Sequence, residues 1–99
     1  MPPSFVLAPE AVEDLKEIWE YVASDSIDAA DRVHSKIREA IELIAQRPAI
    51  GHYRPDLSPL PLRFLPVYSY LIVYDPASNP IEIWRVIHGA RDVSSALRR

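Results

Sequence analysis

Cysteine is absent from the 99 residues, which excludes a disulfide framework and a thiolate metal site. Glycine occurs only twice, at Gly51 and Gly89, too sparsely for a loop that cradles phosphates. No GxSxG elbow is present, so the usual context of a nucleophilic serine is missing too. His34, His52 and His88 fall in separate segments without metal-ligand spacing, and neither a metal nor a cofactor is expected. No apolar run approaches the roughly 20 residues of a membrane span. The N-terminus lacks the basic start and long apolar centre of a secretory signal, so the expected location is cytoplasmic. Lysine is missing from residue 47 onward, where every cation is an arginine.

What is present is an ordinary globular composition, 48% hydrophobic and 25% charged, in one domain spanning residues 1–99. The net charge of −3 conceals a division along the chain. Residues 1–46 carry −6, with acids crowding the segment from Glu10 to Glu20, and residues 47–99 carry +3. Arginine without lysine suits planar, bidentate contacts with carboxylates or phosphates.

"SFVLAP" reads as a short strand closed by Pro9, which suits the first turn of a helix. A helix is expected from Glu10 to about Ser24, with Val12, Leu15, Trp19 and Val22 as its apolar stripe and Ile18 widening it. Ser26 is a plausible N-cap for a second helix, whose stripe is Ala30, Val33, Ile37, Ile41 and Ile44. Pro48 stops it, and the short link implies an antiparallel helical hairpin. "RPAIGHYRPDLSPLP" reads as loop. "LRFLPV", "YLIVY" and "IEIWRVIH" should form an antiparallel meander, and "RDVSSALRR" a short C-terminal helix or tail.

Alternation places Tyr70, Ile72 and Tyr74 on one face of this sheet and Leu71 and Val73 on the other. In the last strand it groups Ile81, Ile83 and Ile87 with Arg85, against Glu82, Trp84, Val86 and His88. Both faces are therefore largely apolar, and the C-terminal segment and a partner should cover the second one.

"IWRVIHGARD" gathers two arginines, a histidine and an aspartate. Metal-free RNA cleavage needs a base, an acid and cations around the phosphorane. Arg63, Arg85 and Arg91 are candidate cations, His88 an acid or base, and Tyr70 or Tyr74 a weaker one. The plainer reading makes His88 a hydrogen-bonded strand end and Asp92 an N-cap or ion-pair partner.

The fragments "LAPEAVEDLKEIWEYVA", "AADRVHSKIREAIELIAQRPAIGHYRPDL", "LRFLPVYSYLIVYDP" and "IEIWRVIHGARDVSSAL" resemble, in order and spacing, the ParE-like branch of the ParE/RelE toxin superfamily. These are the plasmid-stabilisation toxins of type II toxin–antitoxin pairs. The resemblance runs from about Phe5 to Leu97. It implies an α+β fold in which an N-terminal strand and an antiparallel two-helix hairpin pack on an antiparallel sheet, in the order β-α-α-β-β-β, with a short C-terminal helix or tail. It also implies a ParD-like antitoxin that wraps the toxin and alone contacts operator DNA. Trp19, Tyr70, Ile72, Tyr74 and Trp84 are the candidates for antitoxin contact.

RelE-like ribosome-dependent endonucleases resemble the chain at Arg63 and Arg91, and with His88 these form the alternative catalytic set. That branch also uses a lysine-rich segment and a C-terminal tyrosine, and here the lysines are absent and Leu97 stands near the tyrosine's place. ParE-like toxins inhibit DNA gyrase by binding, so the expected protein has no catalytic residues, with Arg54, Arg63, Arg91, Arg98 and Arg99 as candidate target contacts. The alternatives are the RelE-like nuclease and a decayed toxin that keeps only antitoxin binding.

Overall fold

The structure is a computed structural model that describes residues 4–97. Arg98 and Arg99 lie outside the described residues. The element order is β1 (Phe5–Leu7), α1 (Pro9–Ala23), α2 (Ile27–Gln46), β2 (His52–Tyr53), β3 (Arg63–Val67), β4 (Tyr70–Asp75), β5 (Ile81–His88) and α3 (Val93–Ala96). Pro9 begins α1, where its missing N–H costs no helical hydrogen bond. Ser26 caps α2 as its side chain accepts from the Ala29 N–H. Ala30, Ile37, Ile41 and Ile44 of the expected stripe are buried.

The expected stripe of α1 is rotated. Val12 is half exposed, and the buried positions are Ala11, Asp14 and Ile18. A carboxylate thus occupies the centre of the buried face, for a reason found on β5.

The sheet has five strands in the order β1-β5-β4-β3-β2. The meander β3-β4-β5 is antiparallel as expected, but β1 joins β5 in parallel, so the sheet is mixed. The helical hairpin is the crossover between β1 and the rest, which lets the first strand return beside the last. β2 is a fourth antiparallel strand inside the segment read as loop; its two residues are too few to show a period.

Ile72, Tyr74, Ile81, Ile83 and Val86 pack beneath the helices with Ala11, Ile18, Ile37, Ile41 and Ile44. On the other face Phe64, Val73 and Ile87 pack with Leu62, Val93 and Leu97, flanked by Leu57, Leu71 and Trp84. The C-terminal segment and the 57–62 loop therefore cover the apolar second face across the three meander strands. Ile87 does not share a face with Ile81 and Ile83. Val73 pairs with Arg85 and Tyr74 with Ile83, so Trp84 is an extra residue in β5 and the alternation shifts there.

Candidate interaction site

The β5 irregularity moves Arg85 off the face of Ile81 and Ile83, yet its side chain still reaches α1. Its Nε and Nη2 donate to the two Asp14 carboxylate oxygens at 2.7 and 2.8 Å. Asp14 Oδ2 also accepts from the Val86 N–H at 2.9 Å, and Arg85 Nη1 donates to the Ala96 carbonyl at 2.8 Å. One guanidinium thus ties α1, on one face of the sheet, to α3 on the other. The Asp14 and Arg85 side chains are 6% and 19% exposed, so the pair is largely desolvated and its hydrogen bonds must be complete. The bond to Asp14 raises the Arg85 pKa. Reading the sequence did not couple these two residues. The signal was there as two charges of opposite sign, each alone in an apolar stripe.

At one end of the sheet the polar groups are engaged with backbone. Tyr74 Oη donates to the Pro48 carbonyl at 2.7 Å and accepts from the Gly51 N–H at 2.9 Å. A Cβ on Gly51 would lie 2.6 Å from that hydroxyl and 2.9 Å from the Tyr74 ring, so only glycine fits. Burial raises the Tyr74 pKa, opposed by the Gly51 hydrogen bond and the Arg63 charge. Arg63 Nη1 donates to the Gly51 carbonyl at 2.6 Å and the Ala49 carbonyl at 3.2 Å, and its guanidinium stacks 4.1 Å from the Tyr53 ring centroid. Arg54 forms an exposed fork with Asp56, at 2.9 and 2.7 Å, which raises the arginine pKa and lowers that of the aspartate.

At the other end the side chains surround a cleft of about 340 Å³ between α1 and the turns that start β4 and end β5. Asp14, Glu17, Ile18 and Tyr21 line it from α1, and Ser69, Tyr70, Val86, His88 and Arg91 from the sheet side. The His88 ring meets Tyr70 edge-on at 5.4 Å, and its Nδ1 accepts from the Ala90 N–H at 3.1 Å. That bond places the proton of the neutral imidazole on Nε2. Asp92 caps α3 by accepting from the Ser95 N–H and hydroxyl.

His88 and Arg91 of the alternative catalytic set are therefore neighbours, and Arg63 is remote from both. Arg63 pairs with Tyr74 and His88 with Tyr70, four residues apart on β4, or about 13 Å along the strand. Among the antitoxin-contact candidates, Ile72 and Tyr74 are corrected, because both are sealed beneath the helices at 0% exposure and offer no surface. Trp19 is half-buried and donates from Nε1 to Asp31, joining the two helices. Trp84 is half-buried against the second-face core, and Tyr70 lines the cleft. Among the described residues no group of three metal-ligating side chains is placed to hold an ion, and no helix is long and apolar enough to cross a membrane.

A helical hairpin on a mixed five-stranded sheet, braced by one buried ion pair and open at one end, defines a small α+β domain. The chain belongs to the ParE toxin family of the type II toxin–antitoxin system, parDE, whose model matches residues 5–93. Among solved structures it is similar to one described as the chromosomal ParDE TA system from P. aeruginosa, with a TM-score of 0.70 and 23% identity. That match covers 88% of this chain and 96% of the other, and it concerns the fold. No curated protein matches the chain.

Proposed function

We propose that the protein is the toxin of a type II pair, that it inhibits DNA gyrase by binding without covalent chemistry of its own, and that a ParD-like antitoxin neutralises it in the cytoplasm. Operator DNA is reached only through the antitoxin. The family match over residues 5–93 carries this reading. A binding role is further supported by the placement of the cations. Arg63 is committed to the Ala49 and Gly51 carbonyls, far from His88, and the cleft that holds His88 offers Glu17 beside Arg91. A ribonucleotide chain would need net positive charge there.

The test is induction of the protein without its antitoxin, followed by parallel measurement of plasmid supercoiling, DNA breakage and transcript integrity. Loss of supercoiling or accumulation of breaks, relieved by the antitoxin, is the expected result. Early cleavage of ribosome-bound transcripts with gyrase unaffected replaces this reading with the nuclease one. No effect on either, with antitoxin binding retained, marks a toxin that has lost its activity.

A further inference from the structure

The open end of the molecule has features that neither folding nor the ion-pair brace requires. Val67 pairs with Tyr70, which leaves Tyr68 and Ser69 as a two-residue hairpin turn. Tyr68 stands there at φ 54°, the left-handed region that favours glycine. Tyr68 is 63% exposed and borders a separate hollow against α2 with Asp31, Ser35 and Lys36, next to the cleft that its neighbours Ser69 and Tyr70 line. Tyr21, on the α1 wall of the adjoining cleft, is 78% exposed. Tyr70 and His88 supply the opposite wall. Strain and solvated aromatic area at one end are costs to the free protein that a bound partner offsets.

Charge complementarity identifies the occupant. Asp14 at the base of the cleft is matched by Arg85, and Arg91 stands on the sheet-side wall, so the negative side is the α1 wall, where Glu17 lies in the field of Arg85 but makes no salt bridge among the described residues. From Glu17 an exposed acidic stripe follows α1, as Glu13 and Glu20 recur with it at helical spacing. A cation seated beside Glu17 would also meet the ring of Tyr21 or Tyr70, which adds cation–π attraction in a partly dry site. At about 340 Å³ the cleft is at the small end for ligand pockets and suits one long side chain.

We propose that this end is the docking surface for an arginine- or lysine-bearing segment of the antitoxin, with its cation against Glu17 and between the Tyr21 and Tyr70 rings, and with Tyr68 covering the segment's apolar side. The inference rests on the toxin–antitoxin reading above.

The experiment measures the affinity of the full-length toxin for its co-encoded antitoxin, beside the thermal midpoint of each free variant. Glu17→Gln is expected to weaken binding about tenfold and to flatten its salt dependence, as loss of a charge contact does. Tyr68→Gly is expected to weaken binding while the free protein's Tm holds or rises, because glycine suits the positive φ. A purely structural Tyr68 predicts the opposite, a fall in Tm with affinity preserved. Wild-type affinity and salt dependence in both variants overturn the proposal and leave the toxin reading standing. A wild-type chain that does not bind the antitoxin at all overturns both.

Discussion

The two ends of the sheet use the same residue types for different purposes. At the Gly51 end a tyrosine and an arginine are locked onto backbone carbonyls, and the 48–51 turn is thereby pinned to β3 and β4. At the Tyr70 end tyrosines, a histidine and an arginine face a cleft, and neither Glu17 nor Arg91 makes a salt bridge among the described residues. The difference shows that residue type does not distinguish a structural arginine from an available one. What distinguishes them is whether backbone acceptors lie within reach. Arg63 has two such carbonyls beside it, whereas Arg91 follows the last strand in a turn whose own N–H already bonds to the His88 carbonyl.

The largest expected effect comes from removing the brace at the base of the Tyr70-end cleft, which has no part in the Gly51 end. Asp14→Ala would leave the Arg85 guanidinium largely buried without its carboxylate and the Val86 N–H without an acceptor, at a cost of about 3–5 kcal/mol. Urea unfolding should show a large drop in midpoint; a loss below about 1 kcal/mol would mean the pair is solvated and the brace is not structural. Next in size is Gly51→Ala, which drives a methyl group into the Tyr74 ring and hydroxyl and should cost about 1–3 kcal/mol. If the variant is as stable as the parent, the 48–51 turn is not held by Tyr74. Arg63→Ala should cost about 1–2 kcal/mol through its two carbonyl bonds, with any toxicity on induction unchanged. Arg91→Ala should shift stability by no more than about 0.5 kcal/mol, so any loss of toxicity would be a binding effect. Equal stability losses at Arg63 and Arg91 would erase the distinction between the ends.

Much of the fold was legible because its signals are local and repeated. The stripe of α2 recurs five times, Ser26 is a good cap, and Pro9 and Pro48 set boundaries that the structure keeps. The placement of Tyr70, Ile72 and Tyr74 on one face followed from alternation alone. Legibility failed where one residue alters a pattern or where a contact spans the chain. The extra residue at Trp84 reverses the parity of β5, and nothing in "IEIWRVIH" marks where an alternation will slip. Asp14 and Arg85 are 71 positions apart, and their pairing rests on the parallel return of β1 beside β5. The site was legible only in part for the same reason. His88, Arg91 and Tyr70 meet because they end or begin paired strands, but the α1 wall with Glu17 and Tyr21 depends on how the hairpin lies across the sheet.

The smallest effect expected is a difference in the alkaline limb of stability. The neutral Tyr74 hydroxyl donates to the Pro48 carbonyl, and burial holds its pKa above the ordinary 10.0. Above pH 10 the unfolded chain releases this proton before the folded one does, so the unfolded state binds fewer protons and stability falls as pH rises. The contribution is whole below the unfolded pKa and is lost as pH climbs through the folded one. Tyr74→Phe should therefore be less stable than the parent near neutrality, since the Gly51 N–H and Pro48 carbonyl lose their partner. The gap between the two proteins should narrow from about pH 10 upward, because only the parent carries the penalty of ionising there. Unfolding midpoints of the two chains across this range supply the measurement. A gap that stays constant would show the hydroxyl to be open to water, and the Gly51 end would then be no more closed than the Tyr70 end.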